Sequence, residues 1–154
     1  MNKLTKTLLD LFPLRVYTNT SSRKLHNKSK QKRTGVNMEA KRSQHFKILQ
    51  LKFNDDNKQI MFMRYDTAIR NKPDLSINDY NVVYDGDIED KDDELFEDTK
   101  ILNELFYIFN TNRPEGFTGH SLSVSDVIKL GAEFYYVDPY GFKKLNYLEF
   151  LYEL

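Results

Sequence analysis

The apolar positions of this chain fall into short runs separated by polar clusters. Phe46-Lys47-Ile48-Leu49-Gln50-Leu51-Lys52-Phe53 alternates and predicts a strand. Asn54-Asp55-Asp56-Asn57 is a turn cluster. The apolar run Gln59–Tyr65 then predicts the second strand of an antiparallel hairpin. Asp66 is placed to cap a short helix over Thr67–Asn71, which Pro73 stops. Ser76 and Asp79 have capping-box spacing for one further turn, and Val82-Val83-Tyr84 predicts a third strand. From about Asp93 to Asn110 the residues Ile101, Leu102, Leu105, Ile108 and Phe109 form the stripe of an amphipathic helix. Ser123 and Asp126 repeat the capping-box spacing and predict a short turn through Ile128. Glu133–Asp138 predicts a strand, and Pro139-Tyr140-Gly141 a turn. Asn146 with Glu149 caps a last helix carrying Leu148, Leu151 and Leu154. The pattern predicts an α+β fold. It has an antiparallel sheet of about four strands, a central amphipathic helix and a C-terminal helix.

Ahead of Phe46 the pattern changes. Leu4, Leu8, Leu11 and Phe12 fit one or two helical turns ended by Pro13, but Thr18–Gly35 is almost devoid of apolar residues. Residues 1–45 are therefore expected to be a basic, largely flexible arm, and 46–154 the folded domain. Charge reinforces the division. Residues 1–47 hold twelve Lys or Arg against two acids, a net of +10, while the remainder carries −10. Such asymmetry implies separate partners for arm and body, or an arm that folds onto the body. Leu8–Phe12 is too short for a signal-peptide core or a membrane span. With no Cys in 154 residues, disulfides and thiol chemistry are excluded and a cytoplasmic location is expected.

Three stretches stand out together: Tyr65-Asp66-Thr67, then Gly119-His-Ser-Leu-Ser-Val-Ser-Asp-Val-Ile128, then Tyr135-Tyr-Val-Asp-Pro-Tyr-Gly-Phe142. With Ile48–Lys52, Phe109-Asn110 and Arg113-Pro114 they make residues 46–145 resemble the YodL-like domain family, marked by YDT and LSVSD motifs. The resemblance implies a protein of mobile elements in Gram-positive bacteria. One member of that family is associated with inhibition of the actin-like cell-shape cytoskeleton, and no enzymatic activity carries over. By analogy it implies an inhibitor of a host system, with counter-defence against a Cas9-type nuclease as the leading expectation.

Several groups of residues compete as the site. Asp85–Asp98 contains nine acids and one base. Its residues Asp85, Asp87, Glu89, Asp90, Asp92, Asp93 and Glu94 fit mimicry of a phosphate backbone against a basic channel, or else a solvated charged face. Phe134, Tyr135, Tyr136, Tyr140 and Phe142 alternate across a strand and turn, so about half are expected to face outward, with Tyr136, Tyr140 and Phe142 as the candidate anchors. In the arm, Arg23, Lys24, Lys28, Lys30, Lys32 and Arg33 fit non-specific nucleic-acid binding, although only Tyr17 lies between Pro13 and His45 to stack on bases. Ser121, Ser123 and Ser125 near His120 and Asp126 lack a G-x-S-x-G elbow, so no catalytic residue is assigned. Asp66, Ser123, Ser125 and Asp126 are expected to hold turns and caps instead. His26, His45 and His120 show no HxxxH spacing; a metal site would have to assemble in space, as from Asp66, His120, Asp126 and Asp138, and no metal or other cofactor is predicted.

The expected function is therefore a non-enzymatic inhibitor or regulator. It binds a host protein, a Cas-type nuclease in the leading case, through the acidic surface and the outward aromatics. The alternatives are a nucleic-acid-binding accessory protein working through the arm, and an inhibitor of the actin-like cytoskeleton. No membrane partner is expected.

Overall fold

A computed structural model describes residues 15–18, 43–89 and 97–151. These form a six-stranded, wholly antiparallel sheet in the order β1-β3-β2-β4-β5-β6. The strands are β1 (Arg15–Thr18), β2 (Ser43–Leu51), β3 (Tyr80–Glu89), β4 (Val127–Leu130), β5 (Glu133–Asp138) and β6 (Gly141–Lys144). Four helices accompany them: the single turn α1 (Asp55–Lys58), α2 (Tyr65–Asn71), α3 (Asp98–Thr111) and α4 (Tyr147–Leu151). A 3₁₀ turn, Ile77–Asp79, leads into β3. The α+β class and the antiparallel sheet agree with the sequence pattern. Three of the six strands, β1, β4 and β6, lie where no strand was expected.

Most of the sheet is buried on both faces. On one, Phe46 and Ile48 of β2, Tyr84 and Ile88 of β3, Ile128 and Leu130 of β4, and Tyr135 and Val137 of β5 meet the α3 stripe of Ile101, Leu102, Leu105 and Phe109. Ile108, from the same stripe, is only partly buried. On the other face, Leu49, Leu51, Tyr80, Val127, Phe134 and Tyr136 pack with Ala68 of α2 and Phe150 of α4. Successive side chains of a strand point to opposite faces, so β5 contributes Phe134 and Tyr136 to one core and Tyr135 and Val137 to the other.

Several expected elements are different. Gln59–Tyr65 is not a strand. Ile60 is buried from a turn, Phe62 takes a positive φ of 61°, and the run ends in α2. Asp66 does not cap α2; the helix begins at Tyr65, behind Arg64. The turn at Ser123–Asp126 exists, but Val127-Ile128 open β4 rather than continue a helix. The C-terminal helix buries Phe150, while Leu148 is exposed and Leu154 lies outside the described residues. Asn146 does accept the Leu148 N–H through Oδ1, at 3.1 Å.

The body also begins earlier than Phe46. β2 starts at Ser43, and β1, from inside the basic arm, pairs with the last four residues of β3.

Candidate functional site

The three singled-out stretches meet where β4 begins and β5 ends. β5 places Asp138 beside the start of α2, and its Oδ1 accepts the Tyr65 N–H at 2.8 Å. An acceptor is needed there because the first turn of a helix leaves its N–H groups without intrahelical partners. Tyr136, deep in the sheet, donates its hydroxyl to the Met63 carbonyl at 2.7 Å. Ser125 accepts the Phe62 N–H through Oγ at 3.0 Å. Ser125 and Phe62 are the described non-glycine residues with positive φ, at 81° and 61°. For a residue as bulky as Phe that conformation is strained and persists only where surrounding structure dictates it. Here the Ser125 bond helps to dictate it, and Phe62 is left 63% exposed. Backbone bonds from Ser125 N–H to the Val137 carbonyl (3.1 Å) and from Val137 N–H to the Asp126 carbonyl (2.8 Å) tie the turn to β5.

A second node lies under the same turn. Gln50, nearly fully buried on β2, donates from Nε2 to the His120 carbonyl (2.9 Å) and to Asp126 Oδ2 (3.0 Å). Its Oε1 accepts the His120 N–H at 3.0 Å. Asp126 Oδ2 also accepts the Ser123 N–H, at 2.9 Å. Gln50 thus pairs with the His120 backbone as a neighbouring strand would. Gly119 permits the approach, since a Cβ there would stand 2.2 Å from Gln50 Oε1. His120 Nδ1 lies 2.8 Å from the Ser121 carbonyl, so it carries the ring proton and donates it there. Both Gln50 Nε2 hydrogens are already engaged, so its 3.1 Å approach to Nδ1 is a contact rather than a hydrogen bond.

The other ring nitrogen, Nε2, faces Asp126 Oδ1 at 3.9 Å. Burial raises the Asp126 pKa to about 6, against the opposing effects of the Ser123 backbone, His120 and Gln50. The half-exposed His120 thereby covers a buried acid that titrates close to neutrality. Ser123 and Ser125 have no hydrogen bond to His120; Ser125 holds Phe62, and the Ser121 hydroxyl accepts from Arg113 at 2.6 Å. This arrangement holds loops in place. No nucleophile and base are paired among these residues.

The acidic candidates occupy a different surface. Asp85, Asp87 and Glu89 alternate with buried Gly86 and Ile88, so they share one face of β3. Beside them on β2, Lys47 Nζ approaches Asp85 at 2.9 Å. His45 stands between two carboxylates, with Nε2 3.1 Å from Asp85 and Nδ1 3.0 Å from Asp87. Lys47 directly faces Lys129 of β4 in the register. The two cations avoid each other by turning to different partners, Lys47 to Asp85 and Lys129 to the Phe134 ring at 5.8 Å. Asp85 and Asp87 remain about two-fifths exposed, so a carboxylate-rich surface persists after this pairing.

The aromatic candidates divide. Tyr136 is fully buried and cannot be an outward anchor. Alternation puts only half of a strand's side chains in water when one face is solvated, and β5 is covered on both faces. Phe142 is partly buried, 6.4 Å from the Phe106 ring. Tyr140, at the β5–β6 turn, is 97% exposed. Asp90, Asp92, Asp93 and Glu94 lie outside the described residues, as do Arg23, Lys24, Lys28, Lys30, Lys32 and Arg33. Gln50, Phe62 and His45 were not anticipated. The only sequence signal for Gln50 was a polar residue where the alternation of β2 left room for an apolar one.

Asp66, His120, Asp126 and Asp138 do not assemble as ligands. Asp138 is engaged by α2 and Asp126 by Gln50 and Ser123. Among the described residues no group of three or more His, Cys, Asp or Glu is arranged to hold a metal ion. No described helix is long and apolar enough to cross a membrane.

Residues 45–147 match the YodL-like domain family. No curated protein and no solved structure matches the chain. The match spans well over half of the 154 residues, so the chain belongs to the YodL-like family.

Proposed function

From membership of this family, we propose that the chain is a non-enzymatic inhibitor or regulator from a mobile element, and that it acts by binding a host protein. The contact surface is the acidic face of β3, with Tyr140 as a separate exposed aromatic. The observation that carries the reading is the placement of Asp85, Asp87 and Glu89 on one half-exposed sheet face. The motif residues support it from the other side. Ser123, Ser125, Asp126 and Asp138 are occupied in positioning loops, which suits a domain that acts through its surface. A carboxylate row of this kind suits a basic groove evolved for nucleic acid, and a Cas9-type nuclease offers one.

Action through the arm is less well supported. Part of the arm, Arg15–Thr18, pairs with the acidic end of the chain's own β3.

The test is capture from a host lysate by the tagged chain and by a variant with Asp85→Asn, Asp87→Asn and Glu89→Gln. A host protein retained by the natural chain and lost by the variant supports the reading. Equal retention by both removes the acidic face from the account.

A further inference from the structure

The sheet order leaves β3 between two very different neighbours. β2 pairs with it over nine positions, from Ser43↔Glu89 to Leu51↔Tyr80, and carries the buried Phe46, Ile48 and Leu49. β1 pairs over four positions, Arg15↔Glu89, Val16↔Ile88, Tyr17↔Asp87 and Thr18↔Gly86. Among the described residues it is the terminal strand of the sheet and bonds to no other strand. The 24 residues 19–42 separate it from β2. Without β1, the β3 edge would present unpaired N–H and C=O groups, which are a template for any extended chain.

That edge has a definite chemical pattern. Glu89 and Asp87 alternate with the fully buried Ile88 and with Gly86. In an antiparallel pair the register sets which residues stand opposite one another. Arg15 stands at the register position of Glu89, a β-branched apolar residue at that of Ile88, and a tyrosine at that of Asp87. Along this register the sequence of β1 therefore runs cation, apolar, aromatic beside the acidic edge of β3.

Resting on the reading of β3 as the contact strand, we propose that the edge of β3 covered by β1 is a strand-addition site. It takes an extended cation–apolar–aromatic segment of the partner protein, and Arg15–Thr18 is the intramolecular segment that the partner displaces. Main-chain hydrogen bonds supply most of the affinity in such sites and alternate side chains the specificity. Tethering favours β1 over casual competitors, because a covalently linked segment competes at an effective concentration of roughly millimolar. A four-residue pairing of that kind remains exchangeable for a longer partner strand.

The test uses the full chain, a doubly substituted chain (Val16→Pro, Tyr17→Pro) and a fluorescent peptide of residues 13–20. Successive N–H groups of a strand point to opposite edges, so one of the two prolines removes a ladder bond. Amide exchange is read in parallel. Gly86–Glu89 should lose protection in the double variant while the β4 and β5 amides keep theirs, showing that the rest of the sheet is folded. Peptide anisotropy should then report affinity about tenfold higher for the double variant, because the tethered competitor is gone. Adding Asp87→Asn and Glu89→Gln should abolish that gain. Equal affinity for both chains, or unchanged protection of Gly86–Glu89, overturns the proposal. The natural chain supplies an independent arm that needs no variant. Excess unlabelled peptide should reduce capture of the host protein. Capture that resists the peptide yet is lost in the Asp85, Asp87 and Glu89 variant sinks strand addition while leaving the acidic-face reading intact.

Discussion

Asp126 shows how much a single side chain carries in this fold. It is almost wholly buried, and its carboxylate serves Gln50 and Ser123 at once. Its pKa is raised from 3.8 in the free acid to about 6, chiefly by burial. Folding therefore favours the protonated acid. The sign follows directly: the contribution of Asp126 to stability is fully present below pH 4 and is lost as pH rises to 6, about 3 kcal/mol for a shift of this size. Asp126→Asn keeps an acceptor for Gln50 and Ser123 and removes the buried charge. Urea unfolding at a series of pH values should show that loss in the natural chain and a clearly shallower slope for the Asn variant between pH 4 and 6, where Glu104, also raised by burial, still titrates. A matching slope in both would assign the pH dependence elsewhere. Gly119→Ala tests the same node from its other side. A new Cβ 2.2 Å from Gln50 Oε1 forces Gln50 off His120 and Asp126, at a cost of about 1–3 kcal/mol measurable in the unfolding midpoint. Of this node, Ser123 and Asp126 were legible as a polar turn from their spacing. Gln50 was not, because its role depends on a partner 76 residues away.

At the level of elements, the strongest local patterns survived. β2, β3, α3 and β5 lie close to where alternation or a 3.6-residue stripe placed them. The failures share one cause, a local signal that long-range pairing overrides. Ser123 and Asp126 have helix-start spacing, but Val127–Leu130 found strand partners on both sides, in β2 and β5. β1 has no strand pattern of its own, and its existence depends on the open edge of β3. Asp66 seemed the cap for α2 because it precedes an apolar turn, yet the working acceptor is Asp138, from β5. Replacing Asp138 by Ala should cost about 1 kcal/mol, the usual loss on removing a helix-start acceptor. Amide exchange should locate the effect at Tyr65–Thr67. Unchanged protection there would show that α2 starts without this bond.

At the level of the whole molecule, a zero net charge conceals two opposed halves, and β1 lays part of the basic one along the acidic strand. The acidic run was visible in sequence. Its one-sided display on β3 and its partial neutralisation by Lys47 and His45 were not, because both depend on cross-strand register. An interaction through such a surface should weaken as salt rises, since half-exposed charges are screened within roughly 8–10 Å at physiological ionic strength. The central claim is that β3 presents these carboxylates to a basic protein partner. The most direct measurement is the affinity of the captured host protein for the natural chain and for the variant with Asp85→Asn, Asp87→Asn and Glu89→Gln, across a salt series. The account predicts at least a tenfold loss in the variant at low salt, on the order of 1.4 kcal/mol, with a shallower salt dependence. Equal affinities and parallel salt slopes would contradict it.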